Sequence, residues 1–321
     1  MADKIATRQA YGEALRDLGA VHPELVVLDA DLSGSTMTKY FKAKYPERFF
    51  NAGIAEQDMY AMAAGLAASG KTAVASTFAM FASGRAFEII RNAVAYPHLN
   101  VKVCATHAGV TVGEDGASHQ CIEDLALMRA IPGMTVINPA DAVSAKILLG
   151  RALEMNGPAY LRFGRAAVPV VYRPNAKLTI GKAGVLRTGD LTVNGEKRFA
   201  DVTLIATGIE VAEALEAADI LLKKGVYARV LDMHTIKPLD ERAVLKAARE
   251  TGRIVTAEEG TVLGGLGSAV CETVAKSGIP CRVATIGIQD RFGQSGKPAE
   301  LMKEYGLTAA DIVKAARSLL K

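Results

Sequence analysis

The segment FFNAGIAEQDMYAMAAGLAASG, residues 49–70, places Glu56 at the head of a stretch that is almost wholly small or apolar. Between Met59 and Ala68 only alanine, glycine, leucine, methionine and tyrosine occur. An acid at the start of a helix is stabilised by the helix dipole, by about 0.3 to 1 kcal/mol. The apolar, uncharged surroundings instead predict a half-buried carboxylate that has no salt partner.

The segment VGEDGASHQ, residues 112–120, gathers two acids, two glycines and a histidine between a predicted strand and a predicted helix. Turns favour Asp, Gly and Ser, and Ser118 or Asp115 could simply cap the helix that follows. His107 lies upstream, at the end of VKVCATH. Two histidines on one strand-end loop, His107 and His119, could reach a common cleft and act as proton carriers or anion donors.

Other motifs that carry chemistry are weak or absent. Neither HxxxH nor the spacing of an EF-hand occurs, so no metal ligands are predicted. EEGTVLGGLGSAV, residues 258–270, lacks the third glycine of GxGxxG and indicates a tight turn into a helix. Neither GxxxxGK[ST] nor GxSxG is present.

The composition is that of a globular protein. Half of the 321 residues are hydrophobic, and 38 basic residues against 34 acidic ones give a formal charge of only +4. Scattered basic residues do not indicate nucleic-acid binding. Four cysteines without CxxC spacing favour reduced thiols, and no apolar run is long enough to cross a membrane. A cytoplasmic location is expected.

The elements that must position these residues alternate along the chain. ELVVLDA, TAVAST, NVKVCATHAG, MTVINP and AYLRFG read as strands, separated by alanine-rich amphipathic segments. This alternation predicts an α/β fold with parallel sheets, whose ligands bind at the carboxyl ends of the strands. The alternation breaks within VVYRPNAKLTIGKAGVLRTGD and restarts beyond it. We predict two three-layer α/β domains, residues 1–172 and 190–321, joined by a linker at 173–189.

Taken together, GIAEQ and THAGVTVGEDGASHQ resemble the C-terminal half of transketolase. That half comprises the pyrimidine-binding domain and the C-terminal domain of this thiamine-diphosphate enzyme. The similarity is strongest from Arg48 to Pro169, where STFAMF, LALMRAIPGMTVINPAD and FGRAAVP match in order. It continues through residues 190–321, so it covers nearly the whole chain.

The resemblance implies roles for the residues that would face the cofactor. The acid in the place of Glu56 hydrogen-bonds the aminopyrimidine ring, which promotes removal of the proton from the thiazolium carbon. Phe78 and Phe81 match aromatics that pack on the pyrimidine, and Asp31 matches an acid near the cofactor. A tyrosine of the family is replaced by Gly84.

The resemblance also implies residues for the substrate. His119 matches a histidine near the reacting carbonyl, and Asp115 matches an acid that contacts a substrate hydroxyl. Together with Glu56, His107 and His119 are the implied catalytic residues. The residues that match the family's sugar-phosphate site are Arg8, Ser35, His107 and Arg165. Arg162 lies three residues from Arg165 and could compete for that role.

One element of the family is missing. Thiamine-diphosphate enzymes hold the diphosphate through Mg²⁺, or Ca²⁺ in its place, with Gly-Asp-Gly and a later Asn, and no Gly-Asp-Gly occurs here. The resemblance therefore implies a separate N-terminal subunit that supplies the diphosphate and metal site. By analogy with family dimers we expect a heterotetramer with two copies of each chain.

Three alternatives remain open from the sequence. Deoxyxylulose-phosphate synthase shares Ala-Glu-Gln and a similar loop, but usually has arginine where His107 stands. The beta subunit of 2-oxo acid dehydrogenases shares the two-domain layout, but generally lacks anything like GEDGASHQ. A subunit that kept the fold and lost the chemistry would serve only as a scaffold.

Overall fold

Two β-sheets covered by helices organise the chain in the computed structural model, which describes residues 3–193 and 196–321. The strands of the first half are β1 Lys4–Ala6, β2 Leu25–Asp29, β3 Phe49–Asn51, β4 Thr72–Phe78, β5 Val101–Thr106, β6 Thr135–Ile137, β7 Ala159–Arg162 and β8 Ala167–Pro169. Its helices are α1 Thr7–Leu18, α2 Ser33–Thr36, α3 Lys39–Lys44, α4 Glu56–Ala68, α5 Phe87–Ile89, α6 Asp124–Ala130 and α7 Ala142–Glu154. π-Helical turns flank α5 at Phe81–Arg85 and Ile90–Ala95.

The second half continues the alternation of strands and helices. Its strands are β9 Gly184–Arg187, β10 Leu191–Val193, β11 Glu196–Arg198, β12 Val202–Ala206, β13 Ala228–Asp232, β14 Thr235–Lys237, β15 Arg253–Thr261 and β16 Arg282–Ile288. Its helices are α8 Glu210–Leu222, α9 Glu241–Thr251, α10 Leu266–Ser277, α11 Pro298–Glu304 and α12 Ala309–Leu319. No helix within the described residues combines the length and apolarity that crossing a bilayer requires.

The first sheet has seven strands in the order β14-β6-β7-β5-β4-β2-β3. All its pairs are parallel except β14 with β6. The second sheet has the order β16-β15-β12-β13-β9, and only β9 runs antiparallel to its neighbour. β14 belongs by sequence to the second half and pairs with the first sheet, so the two halves share a hydrogen-bonded edge.

The apolar runs fold as buried strands because helices cover both faces of each sheet. In β2, Leu25 and Val27 pack with α1 and α7, whereas Val26 and Leu28 pack on the opposite face with α4. In the second sheet, alternate residues of β12 pack against α8 and α12. The predicted α/β class with three-layer domains is confirmed.

The segment predicted as a linker, residues 173–189, takes part in both domains. Leu178 is buried in the core of the first domain, and β9 forms an edge of the second sheet. The second sheet therefore begins before residue 190. The sequence does not predict β9, because this strand is short and only partly buried.

The carboxyl ends of the parallel strands gather the residues with candidate chemistry at one edge of the first sheet. Asp31 follows β2, Phe78 ends β4, His107 follows β5, and Arg165 follows β7. This edge is where the fold predicts a ligand.

Candidate active site

Glu56 is the first residue of α4, and only 2 % of its side chain is exposed. Its Oε2 atom accepts a hydrogen bond from Nη1 of Arg85 at 3.1 Å. The expectation that Glu56 has no salt partner is therefore wrong, because the π-helical turn at Phe81–Arg85 brings an arginine 29 residues away back to it. Arg85 is 53 % exposed, so the buried acid is held by a cation that can move into solvent.

Two aromatic rings lie beside this pair. Phe78 and Phe81 stack with centroids 5.8 Å apart and an interplanar angle of 14°. The guanidinium carbon of Arg85 lies 5.3 Å from the centre of the Phe81 ring. Gly84 lies in the same π-helical turn, where a side chain would meet Met80. A planar ligand could pack on these rings with its edge towards Glu56.

His107 joins the aromatic rings to the basic residues. Its ring stacks on Phe78 at 3.9 Å, and its Nε2 atom lies 3.3 Å from Nη1 of Arg8. Burial, with the nearby charges of Arg8 and Arg165, lowers the pKa of His107 to about 3. The neutral ring therefore accepts from Arg8 at Nε2 and carries its proton on Nδ1, 3.0 Å from Oγ1 of Thr106.

Arg8 and Arg165 form a positively charged site beside His107. Nη1 of Arg8 donates to the carbonyl of Ser35 at 2.8 Å, so Ser35 contributes its backbone oxygen here. Nε of Arg8 is buried and has no hydrogen-bond partner among the described residues. Burial, and then repulsion from Arg165, lowers the pKa of Arg8. A buried donor without a partner among the described residues, on an arginine that lies near a second arginine, is suited to binding an anion.

The competing arginine, Arg162, does not reach this site. It is almost fully buried, and its Nε atom donates to Asp124 at 2.8 Å while Nη2 donates to the carbonyl of Glu259 at 2.7 Å. Glu259 belongs to the second domain, so Arg162 ties the two domains together. Arg165 is about one-third exposed and donates to the carbonyl of Val112. Of the two arginines, Arg165 is the one near Arg8.

The predicted loop residues reach the site to different extents. His119 meets the rings of Phe78 and Phe81 edge-on, at 6.3 and 5.6 Å between centroids. Its Nδ1 atom lies 3.0 Å from Oγ of Ser118. Asp115 is exposed on the outer part of the same loop. The structure thus brings His119 to the two aromatic rings and leaves the Asp115 side chain exposed to solvent.

Asn51, at the end of β3, is a residue that sequence reasoning missed. Its Oδ1 atom accepts from the backbone N–H groups of Asp31 and Gly53, at 3.0 and 3.1 Å. Its Nδ2 atom donates to Oδ1 of Asp31 at 3.0 Å. Asp31 has φ of +63°, a conformation that costs a non-glycine residue about 1 kcal/mol or more. Asn51 therefore holds Asp31 and the loop before Glu56, and its place at a strand end was the available signal.

Two family models cover the chain. Residues 3–170 match "Transketolase, pyrimidine binding domain", and residues 192–312 match "Transketolase, C-terminal domain". The chain belongs to the transketolase family. The resemblance noted in the sequence is confirmed, and the chain corresponds to a transketolase C-terminal section. The transketolase family depends on thiamine diphosphate.

Relatives of two lengths match the chain. A protein named as a transketolase C-terminal section, from Methanocaldococcus jannaschii, is 52% identical over 96% of this chain and 94% of its own length. A 6-deoxy-6-sulfo-D-fructose transketolase subunit from Clostridium sp. (strain MSTE9) is 40% identical over 97% of this chain and 94% of its own length. Human transketolase is 39% identical over 100% of this chain, which spans 50% of the human protein.

Solved structures give the same family. One described as "Split gene transketolase, inactive beta4 tetramer" superposes with a TM-score of 0.89 at 51% identity and covers 98% of each chain. Transketolase from Leishmania mexicana superposes with a TM-score of 0.81 at 26% identity, over 100% of this chain and 46% of that one.

Proposed function

We propose that this chain is the C-terminal subunit of a two-subunit transketolase. With its partner it transfers a two-carbon ketol unit from a ketose phosphate to an aldose phosphate. The observation that carries the proposal is one connected series of contacts, from the buried carboxylate of Glu56 through Phe81 and Phe78 to His107 and Arg8. It joins an acid and an aromatic platform to an anion site at one edge of a parallel sheet.

The first part of this series fits the aminopyrimidine half of thiamine diphosphate. That cofactor, when bound, supplies the carbon nucleophile for the transfer. Glu56 would hold a ring nitrogen, Phe78 and Phe81 would pack on the ring, and Asp31 would lie close by. Arg85 contacts Glu56 in this structure. When the pyrimidine binds, Arg85 would therefore move away from the Glu56 carboxylate or share it with the ring nitrogen.

The second part fits a sugar phosphate. Arg8 with its unused Nε donor, Arg165 and neutral His107 would bind the phosphate, with the Ser35 carbonyl orienting Arg8. His119 lies edge-on to the aromatic platform and would donate to the substrate carbonyl or carry a proton. The exposed Asp115 would accept from a substrate hydroxyl.

The diphosphate and its metal ion, Mg²⁺ or Ca²⁺, are assigned to an N-terminal partner subunit that carries Gly-Asp-Gly. This chain has no Gly-Asp-Gly and spans half of the human relative. A cofactor shared between two chains favours a heterotetramer with two copies of each. The relative described as an inactive beta4 tetramer supports inactivity, and self-association, of this chain alone.

The test mixes this chain with the candidate partner, thiamine diphosphate and Mg²⁺, and follows transfer from fructose 6-phosphate to an aldose phosphate. We expect activity in the mixture and none in either chain alone. Glu56→Gln should abolish transfer, whereas Glu154→Gln, an exposed acid on α7, should not. Activity of this chain alone would contradict the proposal that it supplies only half of each active site. An inactive mixture whose cofactor binding is unaffected by Glu56→Gln would favour the scaffold alternative.

A further inference from the structure

The loop that carries Asp115 and His119 has no regular structure of its own. Residues 113–120 contain neither helix nor strand, and their internal hydrogen bonds are short-range turns such as His119 N–H to the Gly116 carbonyl at 3.0 Å; Cys121 then forms an isolated β-bridge with Ala108. Something outside the loop must therefore determine where these two side chains lie.

Both ends of the loop contact the second domain, in addition to the bridge that Cys121 makes to Ala108 in the first. Before the loop, the backbone N–H of Thr111 donates to Oε1 of Glu259 at 2.7 Å, and Val110 is packed in a core cluster with α11. After it, Gln120 is 3 % exposed and donates from Nε2 to the carbonyl of Gln294 at 2.8 Å. These contacts join segments that are more than 140 residues apart.

Gln120 also closes the loop on itself. The same Nε2 atom lies 2.9 Å from the carbonyl of Gly113 and 3.2 Å from that of Val110. Two amide hydrogens are thus shared among three carbonyls: that of Val110 before the loop, that of Gly113 at its start and that of Gln294 in the second domain. A side chain of this length without donors would leave all three carbonyls without this partner.

The second-domain segment 293–298 packs on the loop with little free space. A Cβ atom on Gly116 would lie 2.6 Å from Oγ of Ser295, and one on Gly113 would lie 3.4 Å from the carbonyl of Gly296. A Cβ atom on Gly293 would strike Oε1 of Gln120. The loop and this segment are therefore fitted to each other through three glycines.

We propose that Gln120 is a positioning residue that fixes the 113–119 loop to the second domain and so determines where His119 and Asp115 meet the sugar. The inference rests on the proposed function and gives the C-terminal domain a part in it. Gln120 acts through the loop rather than by contact with substrate.

The test uses two variants and a matched control in the complex with the partner. Gln120→Met removes the donors at similar side-chain length, and Gly293→Ala pushes on the Gln120 amide from the second domain. Gln294→Ala keeps the carbonyl that accepts from Gln120 and serves as the control. We expect both variants to lower kcat/KM for the sugar by about 10- to 100-fold, as for a misplaced substrate-contacting group, without a change in thiamine diphosphate affinity.

Wild-type kcat/KM in Gln120→Met and Gly293→Ala would overturn the inference. An equal loss of thiamine diphosphate affinity would also overturn it, because it would indicate general disruption of the subunit. Amide hydrogen exchange of the isolated chain gives a separate readout, since it requires no transfer activity. Residues 114–119 should exchange faster in both variants and not in Gln294→Ala. Unchanged exchange would refute the positioning role of Gln120, whether or not the proposed function holds.

Discussion

Arg8→Lys is the substitution whose effect follows most directly from the anion site. Lysine keeps the positive charge but lacks the planar set of donors. In Arg8, Nη1 is already engaged with the Ser35 carbonyl and His107, and Nε is buried with no partner in the described part of the chain. If Arg8 binds the sugar phosphate as proposed, the variant should therefore lose at least one hydrogen bond to it.

A hydrogen bond to a charged group contributes about 1.5 to 3 kcal/mol. Since about 1.4 kcal/mol corresponds to a factor of ten, kcat/KM for a phosphorylated ketose should fall by about 10- to 150-fold. The loss should appear mainly as a higher KM, because the proposed phosphate site is built from Arg8, Arg165 and His107 and not from His119, the residue assigned to the carbonyl.

The assay compares fructose 6-phosphate with fructose as donors, in the complex with the partner subunit. Only the phosphorylated sugar should respond to Arg8→Lys. Arg16→Lys, in the same helix and paired with exposed Asp17, should leave both sugars unchanged. An equal loss with both sugars would refute the reasoning, because it would mean that Arg8 supports the fold around Ser35 and His107 rather than the phosphate.

Three further expectations follow from the same structure. Arg85→Gln should tighten thiamine diphosphate binding, by no more than about fivefold for so exposed a cation, as measured by calorimetry; weaker binding would show that Arg85 helps the cofactor. Because the pKa of His107 is about 3 in the folded state and about 6.5 unfolded, stability should fall as pH drops from 6.5 towards 3. Urea unfolding of His107→Asn between pH 7.5 and 5 should show a smaller loss than wild type. Arg162→Met removes the cation that pairs with two buried acids, Asp124 and Glu259, and should cost about 3 to 5 kcal/mol of unfolding free energy. Arg151→Met, at an exposed pair, should cost at most about 1 kcal/mol.

The parallel strands could be predicted from the sequence because burial on both faces imposes unbroken apolar runs. ELVVLDA and NVKVCATHAG became β2 and β5, and the polar residues that follow them lie at the same sheet edge. The resemblance located the acid, the aromatics and the histidines in the first domain. Their clustering in the structure is consistent with the roles assigned to them.

The contacts that join distant segments could not be predicted in this way. The pairing of Arg85 with Glu56 depends on π-helical turns, which leave no simple period in the sequence. The sequence does not show whether Arg162 or Arg165 is free to bind a phosphate. Only the structure distinguishes them, because Arg162 is paired with buried acids. β14 has only three residues, including a lysine, so its sequence does not indicate a strand. It is a strand because it pairs with β6, about 100 residues earlier.

These long-range contacts bear on why the proposed half of the active site is joined to a second domain that supplies none of the predicted catalytic groups. β14 extends the first sheet, the core cluster around α4 and α6 continues into α9 and α10, and Glu259 bonds both Arg162 and Thr111. Buried contacts of this kind form and break together, so the two domains should unfold as one cooperative unit. The position of His119 is then a property of the whole chain, because the loop that carries it is shaped by atoms from both domains.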